Sequence, residues 1–242
     1  MELNEVVIVS AVRTPIRSFR GALSGVAATK LGSVVIAEAL KRAKLKEADV
    51  DQVIMRNVLS AGLGQAPARQ AALGAGLPKT VECLTVNKVC GSGLKAVMLA
   101  APAMRLGEAE VVVAGGIESM TNAPYLLPKA RAGYRMGHGS LVDSMIKDGL
   151  WDVYNDFHMG AAAELCANKF AISRAEQDEF AARSYQRAQA AQRNRNFAKE
   201  IVSIVTAGRD HREHVVTEDE EVGKFDLEKM KYSGRRFART AR

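Results

Sequence analysis

The stretch Asn87-Lys88-Val89-Cys90-Gly91-Ser92-Gly93-Leu94-Lys95-Ala96 separates an apolar run, Val81 to Val86, from a helical stretch, Leu94 to Leu106. Cys90 in this stretch thus follows a strand and precedes a helix, with a glycine-bearing turn between them. Upstream, Gln52 to Leu59 reads as a strand and Pro67 to Leu73 as a short helix closing at Gly74 and Gly76. Between Thr29 and Lys44, Leu31, Val34, Val35, Ala39 and Leu40 recur at three- and four-residue steps, and Lys41, Arg42 and Lys44 suit the negative end of the helix dipole. Val6 to Val9 is an unbroken β-branched run, as expected of a strand covered on both faces, and ends in the turn Arg13-Thr14-Pro15. Glu110 to Ala114 supplies a fourth strand that stops at Gly115-Gly116. Four strands with intervening helices predict an α/β layered sheet.

After Met120 the texture changes. Pro124, Pro128, Gly133, Gly137 and Gly139 break up the chain, and only short helical pieces such as Leu141 to Leu150 are expected. A helical pattern resumes at His158, Ser173 and Glu176 form a capping box opening a helix to about Arg193, and Ile201 to Thr206 with Val215 to Thr217 read as a small ribbon. This division predicts a first domain over 1–120, a second over 121–231 and an anomalous basic tail over 232–242.

A chain of 242 residues with 48% hydrophobic and 25% charged residues can bury a substantial core and lacks the marks of disorder. Its longest apolar runs, around Val34 to Ala37 and Val111 to Ala114, fall far short of the roughly 20 residues that cross a bilayer. The acidic start, Met1 to Glu5, does not look like a secretory leader, so a cytoplasmic chain without a membrane partner is expected. Three cysteines, none in a CxxC pair, suggest neither a disulfide framework nor a metal site. Of the net charge of +7, six units come from Lys229, Lys231, Arg235, Arg236, Arg239 and Arg242, so no nucleic-acid partner is expected of the body of the chain.

Cys90 is placed to act as a nucleophile. Glycines one and three residues beyond it let backbone and substrate approach closely. Unpaired amides and the positive end of the following helix favour a thiolate, and the same amides can donate to a carbonyl oxygen as it becomes an oxyanion. From spacing alone, the competing reading is a small buried apolar side chain, which is what most free cysteines are. Cys83 and Cys166 read as core residues; His138, His211 and His214 read as surface histidines with no partner at metal-ligand spacing.

The segment around Cys90 closely resembles the nucleophile segment of thiolases. Asn57-Val58-Leu59, Gly64 to Gln70, Ala114 to Met120 and His158-Met159-Gly160 also resemble thiolase segments, in thiolase order, over roughly residues 5 to 230. The resemblance implies a thiolase-type layered α/β fold: its first half, a mixed sheet with covering helices, plus an α+β loop domain that covers coenzyme A and makes oligomer contacts. It implies an acyltransferase, most similar to the bacterial acetyl-CoA acetyltransferases, working through an acyl intermediate on Cys90. His158 and Met159 would flank the pantetheine thread with Leu150 as an apolar contact. Acyl-CoA and CoA would be the substrates, no further cofactor would be needed, and the chain would form a homo-oligomer.

The resemblance also has gaps. The family's activating histidine, water-positioning asparagine and second cysteine lie in a later half that has no counterpart in this sequence. A lost general base alone typically removes about 10²–10⁴-fold in rate, so negligible turnover is expected of this chain by itself. Tyr232 to Arg242 resembles nothing in the family, and a reading-frame slip near Lys231 would account for it. Ending there removes the strand that returns to the first sheet and leaves an exposed edge. Arg56 stands where the family usually has glycine, and Pro102 falls inside the helix after Cys90, where it costs about 3 kcal/mol unless the helix kinks. Two other readings are a noncatalytic fragment that binds CoA or joins intact subunits, and nucleic-acid binding through the tail, which predicts salt-sensitive retention on DNA.

Overall fold

The structure is a computed structural model that describes residues 4–207 and 212–226. The tail, Leu227 to Lys231 and His211 lie outside the described residues, as does any edge left open by the tail.

Helix α1 (Ala28–Ala43) buries Ala28, Gly32, Ser33, Ile36 and Leu40, which fall on one face at helical spacing. It ends at Lys44, whose left-handed backbone (φ 58°) lets its amide reach the carbonyls of Leu40 and Lys41. Strand β1 (Gln52–Arg56), helix α2 (Pro67–Gly74), strand β2 (Glu82–Val86), helix α3 (Ser92–Arg105) and strand β3 (Val112–Gly116) follow in turn. Proline in the first turn of α2 suits a position whose amide needs no partner.

The three strands form a parallel sheet in the order β2-β1-β3, with Arg56 beside both Val86 and Gly116, so that all three end along one edge. Val53 and Met55 pack toward α1 and α2 with Ile36, Leu40, Ala68, Ala71 and Ile117. Ile54, between them, packs toward α3 with Ala96 and Ala100. Alternation along β1 thus puts side chains into two apolar layers, and Val53, Ile54 and Met55 are all buried. The α/β class read from the sequence stands. The outer side of α3 exposes Leu94, Val97 and Met98, one turn apart, to solvent.

One expected strand is absent. Among the described residues, Val6 to Val9 forms no strand and pairs with no neighbour, and Ile8 is 81% exposed. β-Branched composition favours a strand only where a neighbour completes its ladder, and both flanks of the central strand are taken by β2 and β3. The chain makes its first cross-connections at Asn4, whose amide donates to the Arg105 carbonyl, and at Arg13, which bonds to the backbone of Glu200 and Val202.

Between Met120 and His158 the elements are short. Strands β4 (Tyr125–Leu126) and β5 (Val142–Asp143) pair antiparallel, a single π-helical turn spans Met145–Leu150, and β6 (Trp151–Asp152) pairs with β7 (Phe157–His158). Of the short helical piece expected over Leu141 to Leu150, Val142–Asp143 is strand and Met145–Leu150 is a π-helical turn, whose start is fixed by the Asp143 carboxylate accepting from the amides of Met145 and Ile146. Helix α4 (Met159–Lys169) leads to α5 (Arg174–Arg193), which opens with the expected capping box between Ser173 and Glu176. Strands β8 (Ile204–Ala207) and β9 (Glu213–Val216) form the ribbon, with Ile204, Thr206 and Val216 buried.

A charged clamp joins the two ends of the described chain. The Arg13 guanidinium donates to both carboxylate oxygens of Asp219, at 2.8 and 2.9 Å, and to Glu200 at 2.5 Å, over the ring of Phe197. Burial works against the Asp219 charge, but the hydrogen bonds from Arg13 and from the Ile16 amide outweigh it and hold the carboxyl below its usual range. Next to it, Lys224 above all, opposed by burial and joined by Ser18, lowers Glu220 to about 2.

Candidate active site

Cys90 lies four residues beyond the end of β2 and two before the start of α3, at the carboxyl edge of the parallel strands, where α/β sheets commonly open toward ligands. The turn that carries it is closed by its own groups. The Gly91 amide donates to the Lys88 carbonyl at 3.1 Å and the Ser92 amide to the Val89 carbonyl at 3.2 Å. Ser92, fully buried, accepts from the Lys88 amide at 2.6 Å and donates to the Val89 carbonyl at 2.6 Å. The Asn87 side chain accepts from the Val89 amide at 2.9 Å. Val89 takes a left-handed backbone (φ 48°), a strained conformation for a β-branched residue. Cys90 itself is exposed, so the buried-apolar reading does not hold.

Among the described residues, nothing accepts from the amides of Cys90, Gly93 or Leu94. These donors belong to Cys90 and the first turn of a helix of 14 residues, a helix end whose amides are free to take an acceptor. The proline in α3 is accommodated: Pro102 lies within the helix, exposed, and its carbonyl accepts from the Leu106 amide.

The neighbouring strand ends form a second network. The Glu118 carboxylate accepts from the Asn57 side chain and the Val58 amide at 3.0 Å each, and from the Leu59 amide and Arg56 at 3.3 Å each. It thereby fixes the loop leaving β1. The Arg56 stem runs over Gly116, where a Cβ would lie 2.1 Å from its Cγ, and approaches Gly93 in the first turn of α3. Glycine at 116 is what makes room for Arg56.

The other predicted site residues gather separately. Trp151 pairs with His158 across the β6–β7 hairpin, and Leu150 and Met159 are the residues directly before and after it. His158 caps α4, its Nδ1 accepting from the Gly160 amide at 2.9 Å. Leu150 is half-buried and Met159 is exposed. A Cβ at Gly149 would lie 3.4 Å from the buried Leu59 side chain, so the π-helical turn runs beside the loop leaving β1. Leu150 thus ends the π-helical turn, His158 ends β7 and Met159 opens α4, so the three residues flank one short hairpin.

Cys83 is half-buried against the core, its thiol pushed up by burial. Cys166 is a correction: α4 buries none of its residues and leaves this thiol exposed, because the small side chains of Ala161 to Ala163 provide no wide apolar face to cover. His138 and His214 are exposed. Among the described residues, no cluster of three or more His, Cys, Asp or Glu could hold a metal ion. No described helix is long and apolar enough to cross a membrane. Sequence reasoning missed Ser92, Asn87 and Glu118. A serine just inside a helix, with glycines on both sides, was the available signal for the first.

Residues 6–239 match the family profile described as Thiolase, N-terminal domain. The chain belongs to the thiolase family. Among relatives of this thiolase chain, the acetyl-CoA acetyltransferase 2 of Arabidopsis thaliana is 58% identical over 94% of the chain and 57% of its own length. The acetyl-CoA acetyltransferase of Schizosaccharomyces pombe is 55% identical over 94% of the chain and 58% of its own length, and that of Cupriavidus necator 56% identical over 86% and 53%. The thiolase chain therefore spans little more than half the length of these relatives.

Proposed function

We propose that this chain is the nucleophile-bearing part of an acetyl-CoA C-acetyltransferase, in which Cys90 carries the acetyl group. The observation that carries this reading is the exposed Cys90 on a closed turn at the start of α3, where among the described residues the amides of Cys90, Gly93 and Leu94 have no acceptor. The thiolate would attack the thioester carbonyl, the developing oxyanion would take hydrogen bonds from the open amides, and the CoA thiolate would leave and take up a proton. The acetyl group would then pass to a second acetyl-CoA, or to free CoA in the thiolytic direction. Leu150, His158 and Met159 would line the pantetheine thread, and residues 121–231 would form the domain that covers coenzyme A. The whole enzyme would be a cytoplasmic homo-oligomer with no cofactor beyond its CoA thioester substrates.

The test is intact-protein mass spectrometry after incubation with acetyl-CoA, with Cys90→Ala as control. An acetyl adduct on the natural chain that disappears in the variant is the expected result. A folded sample that gains no adduct, or gains it equally in Cys90→Ala, overturns the assignment.

The solvent-facing row Leu94, Val97 and Met98 favours a second reading, a noncatalytic fragment that joins intact thiolase subunits. Capture of an intact thiolase on co-expression, without acetylation of Cys90, would select it over the first.

A further inference from the structure

The Ser92 hydroxyl is unusual for a residue at the start of a helix. A serine there commonly caps the helix by accepting from an amide further along it. Ser92 is instead the first residue of α3, and its hydroxyl reaches backward into the turn, accepting from Lys88 and donating to Val89. With the Asn87 side chain accepting from the Val89 amide, both backbone polar groups of Val89, its N–H and its carbonyl, are held by side chains. The residue so held is in the left-handed region, which valine does not favour. Nothing local to Val89 selects this conformation; the surrounding bonds impose it, as expected where strain persists because its neighbours over-determine it.

We propose that Ser92 is a positioning residue for Cys90: its buried hydroxyl holds Val89 left-handed, and so points the thiol and the Cys90 amide outward together at the start of α3. This rests on Cys90 being the acyl nucleophile, but the positioning can be read independently of acyl transfer. Without the hydroxyl, Val89 relaxes toward an ordinary extended or helical backbone, the turn rotates, and the exposed thiol loses its fixed place beside the start of α3.

The experiment measures iodoacetamide modification of each cysteine by peptide mass spectrometry on the full chain at neutral pH. Cys166, exposed on α4, is the internal reference, and half-buried Cys83 reports unfolding. Ser92→Ala is expected to lower the Cys90-to-Cys166 rate ratio about tenfold, the size that release of one strained residue would give. Adding Val89→Gly, which adopts the left-handed conformation without a Cβ penalty, is expected to restore most of that loss. A purely structural role for Ser92 predicts otherwise: faster labelling of Cys83 and no rescue by Val89→Gly.

An unchanged ratio in folded Ser92→Ala, or a loss that Val89→Gly does not recover, overturns the proposal. Should Ser92→Ala fail to fold, Asn87→Ala with and without Val89→Gly makes the same comparison from the other side of the peptide. Acetyl-CoA labelling separates the two readings. If no variant, the natural chain included, is acetylated while the alkylation contrast and its rescue persist, positioning stands and the acyl-transfer reading fails.

Discussion

Replacing Glu118 by glutamine tests whether one carboxylate fixes the carboxyl edge of the sheet. Each of its oxygens accepts two hydrogen bonds: Oε1 from Asn57 and the Leu59 amide, Oε2 from the Val58 amide and Arg56. The side chain is 14% exposed, so water replaces few of these partners. Glu118→Gln turns one acceptor into a donor facing donors. Two bonds to an ionised acceptor, each about 1.5–3 kcal/mol, are lost, and Arg56 is left without its partner. The expected cost is about 3–5 kcal/mol. With a urea dependence near 2 kcal/mol per molar, the midpoint followed by circular dichroism should fall on the order of 2 M. Arg56→Met should cost about 1 kcal/mol or less, because three donors still satisfy the carboxylate and the guanidinium is 26% exposed. A Glu118→Gln cost below about 1 kcal/mol would refute the reasoning. So would its complete disappearance in the Arg56→Met background, which would assign the effect to the ion pair alone.

Three further outcomes follow from the packing. Gly32→Ala would place a Cβ 2.6 Å from the Ile117 methyl and 2.8 Å from that of Ala71, so overpacking of about 1–3 kcal/mol should exceed the roughly 1 kcal/mol gain in helix propensity and lower the melting temperature. Ser173→Ala removes the capping box of α5 and should cost about 1 kcal/mol, read as a shift in urea midpoint. Asp219 and Glu220 have lowered pKa values in the folded chain, so the stability they contribute is present above their unfolded values and is lost as pH falls from about 4.5 toward 2; Asp219→Asn with Glu220→Gln should flatten the acid limb of a stability-against-pH curve.

The parts of this molecule legible in the sequence are those whose determinants are local. The strand-turn-helix around Cys90, the apolar stripe of α1 and the Ser173–Glu176 box each carry their signal within one or two turns, and each folds as read. Val6 to Val9 failed because a strand is a property of a pair, and the partner cannot be read from the strand itself. Gly115 and Gly116, taken as a stop, belong to β3 because the register with Met55 and Arg56 carries the ladder through them. Cys166 was misplaced because a run of alanines resembles a core face, while burial depends on what lies opposite. At the site, residue types found Cys90 but not its support. The bonds of Ser92 and Glu118 depend on backbone that only the folded turns bring within reach.

The Arg13 clamp has a consequence for how the chain behaves when cut. Residues 127–141 are exposed throughout, and they include Lys129, Arg131 and Arg135, three sites open to trypsin. Cleavage after Arg135 leaves Arg13 and Arg42 on one piece and Glu200, Asp219 and the carbonyls of Lys199 and Ile201 on the other. The two pieces should therefore elute together from a native sizing column and part only in denaturant. The chain can lose its covalent continuity at the middle and keep its ends in register, which also makes that segment the natural place to open new termini.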